Sequence, residues 1–256
     1  ALFFAIGCMG PRHVPPPYDE GRSYHPLEIV SHRGCHQQAP ENTYAAANRC
    51  LELGVDWIEI DVRQSRDGVF YLMHDATVNR TTDGSGRLDW HKAAQIDQLD
   101  AGSWYSKKFA GERVPHLDEF LRWSKDKTRI YIDAKVPDIQ PLIELVRQLE
   151  MSEQVFFWFG NDKKERLFRQ LAPNISLMTN AYSAQAVHDA HTNYRATIVE
   201  TELNWVTQDL VDACRHYGIK LMVFVGGNDP AQFRRAILWG ADMINLDHPE
   251  AFLAVQ

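Results

Sequence analysis

Hydrophobic and polar residues alternate most clearly over residues 57–62, Trp-Ile-Glu-Ile-Asp-Val. In a β-strand this alternation places the branched aliphatic side chains on one face, and Trp57, Glu59 and Asp61 on the other. Two carboxylates on one side of so apolar a strand repel each other, and a bound cation is the simplest compensation. The segment therefore predicts a strand that presents a cation site.

The residues that follow are predicted to fold back toward these carboxylates. Six residues separate Val62 from Val69, whereas a parallel crossover needs about a dozen or more. Arg-Asp-Gly at 66–68 is typical of a tight turn. We therefore expect a hairpin whose second arm carries His74 back to the acidic face of the first.

From residue 27 onward, strand patterns alternate with helical patterns. The predicted strands are 27–32, 56–62, 129–134, 154–159, 175–179, 196–200, 219–225 and 242–246. The predicted helices are 43–53, capped by Asn42-Thr43 and closed by Gly54, then 117–125, 138–150, 162–171, 183–190, 208–217 and 230–239. Eight alternating units in about 230 residues indicate a distorted (β/α)₈ TIM barrel, an α/β fold.

Residues 76–115 interrupt this alternation. They are too long and too polar for an ordinary barrel loop. We interpret them as an insertion over one end of a single domain that spans residues 27–256.

Composition narrows the function. A chain of 256 residues with 45% hydrophobic residues builds a substantial core, and a mean hydropathy of −0.38 excludes a protein with many membrane spans. The net charge of −7, without a run of Lys or Arg, argues against nucleic acid as the main partner. A phosphorylated small molecule remains compatible, because a bound divalent cation reverses the sign of the charge locally.

Residues 1–26 are predicted to be a leader and an extended linker. The run Ala-Leu-Phe-Phe-Ala-Ile-Gly-Cys before a proline-rich stretch resembles the end of a bacterial lipoprotein signal, with Cys8 as the lipidated residue. This interpretation predicts a cell-envelope lipoprotein with a membrane tether. The alternatives are a frayed terminus and a cytoplasmic protein.

The other three cysteines show no C-x-x-C spacing. They predict neither a zinc site nor a disulfide framework. Cys50 and Cys214 lie in helical patterns and are expected to be separate core thiols.

Polar residues cluster at the ends of the predicted strands. In a TIM barrel, the carboxyl ends of the strands share one face, and the active site lies there. The first strand ends in His32 and Arg33, the second carries Glu59 and Asp61, the hairpin arm returns His74, and the third gives Asp133 and Lys135.

These residue types suit phosphodiester cleavage. All-oxygen ligation by Glu59, Asp61 and Asp133 favours one Mg²⁺ or Ca²⁺ over zinc. Arginine offers a planar fork of donors to phosphate oxygens, and lysine offers a point charge. Two histidines beside a metal-bound phosphate supply a general base and a general acid near neutral pH.

The chain resembles the glycerophosphodiester phosphodiesterase family over roughly residues 27–256. The matching stretches are Ser-His-Arg-Gly (31–34), Ala-Pro-Glu-Asn-Thr (39–43), Trp-Ile-Glu-Ile-Asp-Val (57–62), Arg-Asp-Gly to Met-His-Asp (66–75), Asn-Arg-Thr-Thr-Asp-Gly-Ser-Gly (79–86), Val-Pro-His-Leu-Asp-Glu-Phe (114–120), Tyr-Ile-Asp-Ala-Lys (131–135) and Gly-Ala-Asp-Met-Ile-Asn-Leu-Asp-His-Pro (240–249). The insertion at 76–115 also resembles the one typical of this family.

The resemblance implies hydrolysis of glycerophosphodiesters to glycerol 3-phosphate and an alcohol. It implies a set of site residues: His32 and His74 as acid/base catalysts, Glu59, Asp61 and Asp133 as metal ligands, and Arg33 and Lys135 on the phosphate. A plausible route is attack by the neighbouring glycerol hydroxyl, which gives a cyclic phosphate that water opens.

Two positions depart from the family pattern. Asp133 stands where the family usually has Glu, which withdraws the carboxylate by about 1.5 Å. Phe224-Val225 replaces a Trp-Thr pair, so Phe224 is expected to keep an apolar wall for the substrate without an indole donor. The change at Asp133 leaves the metal affinity and the choice of ion open. Related spider-toxin phospholipases D use a shorter acid at this position, so the change need not abolish metal binding.

Two alternatives stay open. One is a phospholipase D-like lyase that acts on lysophospholipids or sphingomyelin and stops at the cyclic phosphate; the aromatic residues Trp104, Tyr105 and Phe109 would then meet a lipid tail, but the insertion argues against it. The other is a non-catalytic surface protein that binds phosphodiesters, which the full set of histidines and acids disfavours.

Overall fold

A computed structural model describes residues 27–255, and their core is a sheet of nine strands. The strands are β1 (Glu28–Ser31), β2 (Trp57–Gln64), β3 (Phe70–Leu72), β4 (Arg129–Ala134), β5 (Val155–Trp158), β6 (Ser176–Asn180), β7 (Ile198–Glu202), β8 (Lys220–Val225) and β9 (Met243–Leu246). The helices are α1 (Tyr44–Leu53), α2 (Ala93–Ile96), α3 (Leu117–Ser124), α4 (Gln140–Gln148), α5 (Asp162–Leu171), α6 (Ala184–Asp189), α7 (Gln208–Tyr217), α8 (Pro230–Leu238) and α9 (Pro249–Leu253).

Eight of these strands close into a parallel barrel. The strand order is β1-β9-β8-β7-β6-β5-β4-β2, and β1 also pairs with β2. The predicted (β/α)₈ barrel is confirmed, and each barrel strand lies within two residues of its predicted bounds. The predicted hairpin arm is β3, which pairs antiparallel with β2 through Val62 and Leu72.

Local signals set the helix ends. The Thr43 hydroxyl accepts a hydrogen bond from the Ala46 N–H at 3.3 Å and begins α1. Gly54 ends that helix in the left-handed region, with φ of 73°. Thr207 and Gly218 begin and end α7 in the same way. Such capping residues lie directly beside the helix ends that they define, which is why the sequence locates these helices well.

The barrel encloses a closed apolar layer, which we call the barrel floor. Each of the eight barrel strands contributes one residue to it: Val30, Trp57, Tyr131, Phe156, Met178, Ile198, Met222 and Met243. The opposite faces of the strands pack against the surrounding helices in a second, larger cluster. On β2 these two clusters separate the alternate side chains, with Trp57 inside and Ile58 outside.

The 76–115 insertion is a packed lobe with its own small core. Val78, Leu88 and Ile96 are buried together with Tyr71 and Met73 of the hairpin arm. The lobe therefore rests on the arm that returns from the C-terminal end of β2.

The expectation of separate core thiols is confirmed for Cys50 and Cys214, which are both free and buried. Cys214 lies within α7. The Cys50 Sγ lies 2.6 Å from the Sγ of Cys35, which is also free and buried. Cys8 and the expected leader lie outside the described residues. No helix in residues 27–255 is long and apolar enough to cross a membrane.

Candidate active site

Three predicted acids meet at the C-terminal end of the barrel interior. Glu59 and Asp61 lie on the inward face of β2, and Asp61 is paired in register with Asp133 of β4. One carboxylate oxygen from each lies within 4.8 Å of the others, and all three residues are buried. The alternation of β2 and its pairing with β4 therefore suffice to build the cluster.

Like charges in this cluster are only partly compensated. Burial, reinforced by Asp61, raises the pKa of Glu59 to about 8. Burial likewise raises the pKa of Asp133 to about 6, against the attraction of Lys135. Burial alone would raise the pKa of Asp61, but Lys135 and a hydrogen bond from Asn42 hold it below its usual value, and the charge of His74 acts in the same direction.

A divalent cation fits this donor set. The Lys135 ammonium donates to Asp61 Oδ1 at 2.5 Å and also to Asp133. Among residues 27–255, the Lys135 ammonium and the Arg33 guanidinium, 3.7 Å from Asp61, are the two cations beside three buried carboxylates, so the cluster has one more acid than it has cations. Carboxylate oxygens at this spacing are the ligands that Mg²⁺ and Ca²⁺ prefer. Glu59, Asp61 and Asp133 are the residues that would hold the ion.

The turn after β1 brings Arg33 over the acids. Arg33 and Gly34 both adopt the left-handed region, with φ of 55° and 73°. A Cβ on Gly34 would lie 3.0 Å from the Ala46 Cβ, so the turn requires glycine there. In this turn the Arg33 backbone N–H donates to Glu59 Oε2 at 2.5 Å, and its Nε lies 3.7 Å from Asp61 Oδ2.

His32 flanks the acids on the side of β9. Its Nδ1 lies 2.6 Å from Asp247 Oδ1, and the Phe224 ring packs edge-on at 5.5 Å between centroids. Burial alone would lower the pKa of His32, but the Asp247 hydrogen bond and the charge of Glu59 raise it above its ordinary value. Phe224, predicted as a wall for the substrate, therefore packs directly against a candidate catalytic residue.

His74 has a similar partner on the opposite side. Its Nδ1 lies 2.7 Å from Asp75 Oδ1. Arg80 of the insertion donates to both Asp75 oxygens at 2.8 and 3.0 Å, and to both Glu41 oxygens at 2.7 and 2.8 Å. Glu41 in turn accepts from Arg33 at 3.3 Å. A continuous chain of charged contacts therefore connects the second histidine to the residue over the acids.

Asn42 acts differently from the helix cap that the sequence predicts. Thr43 is the cap of α1. The Asn42 side chain instead donates to Asp61 Oδ2 at 2.8 Å and accepts from the Asp61 backbone N–H at 3.0 Å. Its amide thus fixes both the side chain and the backbone of one acid.

Each predicted site residue lies at this end of the barrel, and their chemical roles stay predictions. Glu59, Asp61, Asp133, Lys135 and Arg33 form one contiguous cluster, with the two histidines on either side and Phe224 behind His32.

Sequence reasoning assigned no role to Asp247, Asp75 and Arg80. Asp75 carried a local signal, because it follows His74 directly. Asp247 follows the last strand at the same barrel end, and Arg80 lies within a stretch that matches the family pattern.

Comparisons with known proteins point to one family. The profile of the glycerophosphoryl diester phosphodiesterase family matches residues 32–174. The chain is 32% identical to a glycerophosphodiester phosphodiesterase of Caldanaerobacter subterraneus subsp. tengcongensis, over 88% of this chain and 96% of that protein.

Two solved structures are similar over most of the chain. The crystal structure of a glycerophosphodiester phosphodiesterase from Agrobacterium tumefaciens has a TM-score of 0.85 and 37% identity, and covers 90% of this chain and 100% of that one. An Oleispira antarctica phosphodiesterase in complex with the product sn-glycerol-3-phosphate has a TM-score of 0.82 and 25% identity, with 89% and 96% coverage.

Proposed function

Since the chain belongs to the glycerophosphoryl diester phosphodiesterase family and is a glycerophosphodiester phosphodiesterase, we propose that it cleaves its substrate with one divalent cation and two histidines. The products are glycerol 3-phosphate and an alcohol. The observation that carries this proposal is the juxtaposition of three buried carboxylates with two His–Asp pairs.

The cation, Mg²⁺ or Ca²⁺, would be held by Glu59, Asp61 and Asp133. When bound, it withdraws charge from the phosphoryl oxygens. The side chains of Arg33 and Lys135 lie beside the same acids and present donors that bind and orient the phosphate.

The histidines move the protons. Asp247 and Asp75 each bind the Nδ1 of one histidine, which leaves Nε2 of that ring for the substrate. One Nε2 takes the proton of the neighbouring glycerol hydroxyl as its oxygen attacks phosphorus, and the other donates a proton to the departing alcohol oxygen. Water then opens the cyclic phosphate to glycerol 3-phosphate, with the proton transfers running in the opposite direction. Asp247 and Asp75 orient the rings and stabilise their charged forms.

The aromatic residues of the insertion do not favour the lyase alternative. Trp104 packs edge-on against Tyr105 at 5.7 Å between centroids, and Tyr105 packs against Phe109 at 5.6 Å. The Trp104 indole donates to the Ala101 carbonyl, and the Tyr105 hydroxyl to the Gln37 carbonyl. These contacts hold all three rings within the insertion, and Trp104 alone among them is exposed, at 39%. One exposed ring gives a lipid tail little apolar surface to bind.

The test is release of glycerol 3-phosphate from glycerophosphocholine by EDTA-stripped protein, with Mg²⁺ and Ca²⁺ added back separately. Restored release identifies the preferred ion, and release of a stable cyclic phosphate instead supports the lyase. Full turnover by the stripped protein would contradict the role of the cation. The lipid anchor at Cys8 and the cell-envelope location stay predictions.

A further inference from the structure

A cavity of about 510 Å³ opens beside Lys135 at the C-terminal end of the barrel. Its walls come from the ends of β2 and β4, the insertion and the first turn of α5. We call it the basic groove, because its charged lining is Arg63, Arg66, Arg87, Lys135 and Lys164 with Asp89 as the single acid.

The groove continues directly from the acid cluster. Arg63 follows Asp61 by two positions on β2, so it lies on the same strand face. Its Nε donates to the His74 carbonyl at 2.8 Å. Lys135 likewise follows Asp133 by two positions. It contacts the acid cluster and also lines the groove. A substrate whose phosphate lies at the acids therefore has the groove beside it, on the side of His74.

Arg87 and Lys135 already have acidic partners. Arg87 donates to both oxygens of Asp89 at 2.8 and 2.6 Å. Lys135 contacts Asp61 and Asp133. Their charges are balanced within the protein.

Arg63, Arg66 and Lys164 are not balanced in this way. Within residues 27–255, no ion pair closer than 4.0 Å involves any of the three. The Lys164 ammonium donates to the Val136 carbonyl, which carries no net charge. Three acids attract Arg63 from a longer distance: Asp61, Asp133 and Asp75. Three cations that form no ion pair within 4.0 Å thus line one cavity of a chain whose net charge is −7.

We propose that the basic groove binds a phosphate group carried by the alcohol half of the substrate. The inference rests on the proposed function, and it names the class of alcohol: a phosphorylated polyol rather than a cationic amino alcohol. Two arginine forks and an ammonium suit a phosphate dianion. The cavity is within the size range of small-molecule sites and exceeds what a glycerol moiety needs.

The test compares two substrates that differ by one phosphate, glycerophosphoinositol and glycerophosphoinositol 4-phosphate. We expect kcat/KM to favour the phosphorylated substrate by about tenfold or more. Arg66→Gln and Lys164→Gln should each reduce this ratio. Lys163→Gln is the matched control, since Lys163 is the exposed neighbour in α5 and does not line the groove. It should leave the ratio unchanged.

A second measurement separates this inference from the proposed function. Binding of inositol 1,4-bisphosphate is measured by calorimetry in the presence of EDTA. It should be weaker for Arg66→Gln and for Lys164→Gln than for the parent protein. Binding without turnover of either substrate would remove the proposed function and leave the groove as a phosphate site. Turnover without preference, or a preference that the two groove variants keep, would overturn the inference.

Discussion

The two ends of the barrel interior treat charge in opposite ways, although the same strands build both. At the floor, β2 contributes Trp57 and β4 contributes Tyr131, and these side chains are buried in an apolar layer. Two positions further along the same strand faces stand Glu59 and Asp133. The period of two that points an indole into the barrel also points a carboxylate into it.

Two acids, Glu28 near the floor and Glu59 at the opposite end, show the difference most clearly. Near the floor, Glu28 accepts hydrogen bonds from Lys220 at 2.7 Å and from the Trp57 indole at 2.5 Å, and Arg129 lies 3.2 Å away. Burial opposes ionisation there, but these partners hold the pKa of Glu28 below its usual value.

Glu59, at the other end, accepts from a backbone N–H, and no side-chain cation within residues 27–255 pairs with it. The fold thus neutralises the acid at its structural end with its own cations. At the opposite end it leaves carboxylates that its own cations do not fully neutralise, which suits a bound cation. Uncompensated buried charge of this kind is typical of functional sites.

The largest expected effect is on turnover at the functional end. We expect His32→Ala to lower kcat by about 10³-fold, because proton transfer by a positioned side chain contributes about 10²–10⁴-fold. The unfolding temperature should stay close to that of the parent protein. Steady-state release of glycerol 3-phosphate measures the loss. His216→Ala, an exposed change on α7, is the control. A loss of less than about tenfold would contradict the catalytic role.

The floor should respond in the opposite way. Phe156→Ala removes a fully buried ring that packs against Trp57 at 4.8 Å and Tyr131 at 4.5 Å between centroids. We expect the free energy of unfolding to fall by about 3–5 kcal/mol, with kcat per folded molecule unchanged. Urea unfolding and active-site titration measure the two quantities. Phe156→Leu should cost less, and a fall in kcat per folded molecule would weaken the separation between the two ends.

Removing one charge from the acid cluster should stabilise the metal-free protein. In Glu59→Gln the amide oxygen still accepts from the Arg33 N–H. The variant also removes the cost of burying a carboxyl group beside Asp61, a cost that raises the pKa of Glu59 to about 8. We expect the free energy of unfolding of the metal-free protein to rise by about 1–2 kcal/mol, and its unfolding temperature to rise by several degrees. The stabilisation that added Mg²⁺ or Ca²⁺ gives the parent should shrink. Glu202→Gln, exposed at the end of β7, is the control. A less stable metal-free variant would contradict this account.

Removing the charge of Glu28, the acid near the floor, should destabilise the protein instead of stabilising it. Because the folded-state pKa of Glu28 lies below the unfolded value of 4.5, its ionised form stabilises the fold above pH 4.5, and this stabilisation is lost as the pH falls below it. We expect Glu28→Gln to lower the free energy of unfolding near neutral pH by about 1 kcal/mol or less. Stability measured between neutral and acidic pH should also fall less steeply. An unchanged acid dependence would show that Glu28 contributes nothing there.

The sequence predicted the fold and the acid cluster because both depend on local periodicity. Alternation placed Glu59 and Asp61 on one strand face, and the short Arg-Asp-Gly connection required an antiparallel return before His74. Parallel pairing of β2 with β4 then needed no further information to add Asp133.

The partners of these residues could not be predicted in the same way. Asp247 is 215 positions from His32, and their contact exists only because β1 pairs with β9 in the closed barrel. Arg80 reaches Glu41 across 39 positions through the conformation of the insertion. For Asn42, two neighbouring residues were both suitable caps, and only the position of Asp61 decides between the alternatives.

The smallest expected effect concerns the length of one acid at the functional end. Asp133→Glu extends the carboxylate by about 1.5 Å toward the oxygens of Glu59 and Asp61, which already lie within 4.8 Å. A tighter cluster favours the smaller ion, because Mg²⁺ binds oxygens at about 2.0–2.1 Å and Ca²⁺ at about 2.3–2.6 Å. We therefore expect the ratio of Mg²⁺ to Ca²⁺ affinity to rise by about threefold or less.

Calorimetric titration of the stripped protein with each ion measures this ratio. Asp133→Ala is the companion variant and should weaken both ions, because it removes a ligand instead of moving one. A shift toward Ca²⁺ in Asp133→Glu would mean that β4 moves away from β2 to admit the longer side chain. Since Asp133 stands two positions beyond Tyr131, the stability of the barrel floor would then fall in the same variant, and the two ends would not be independent.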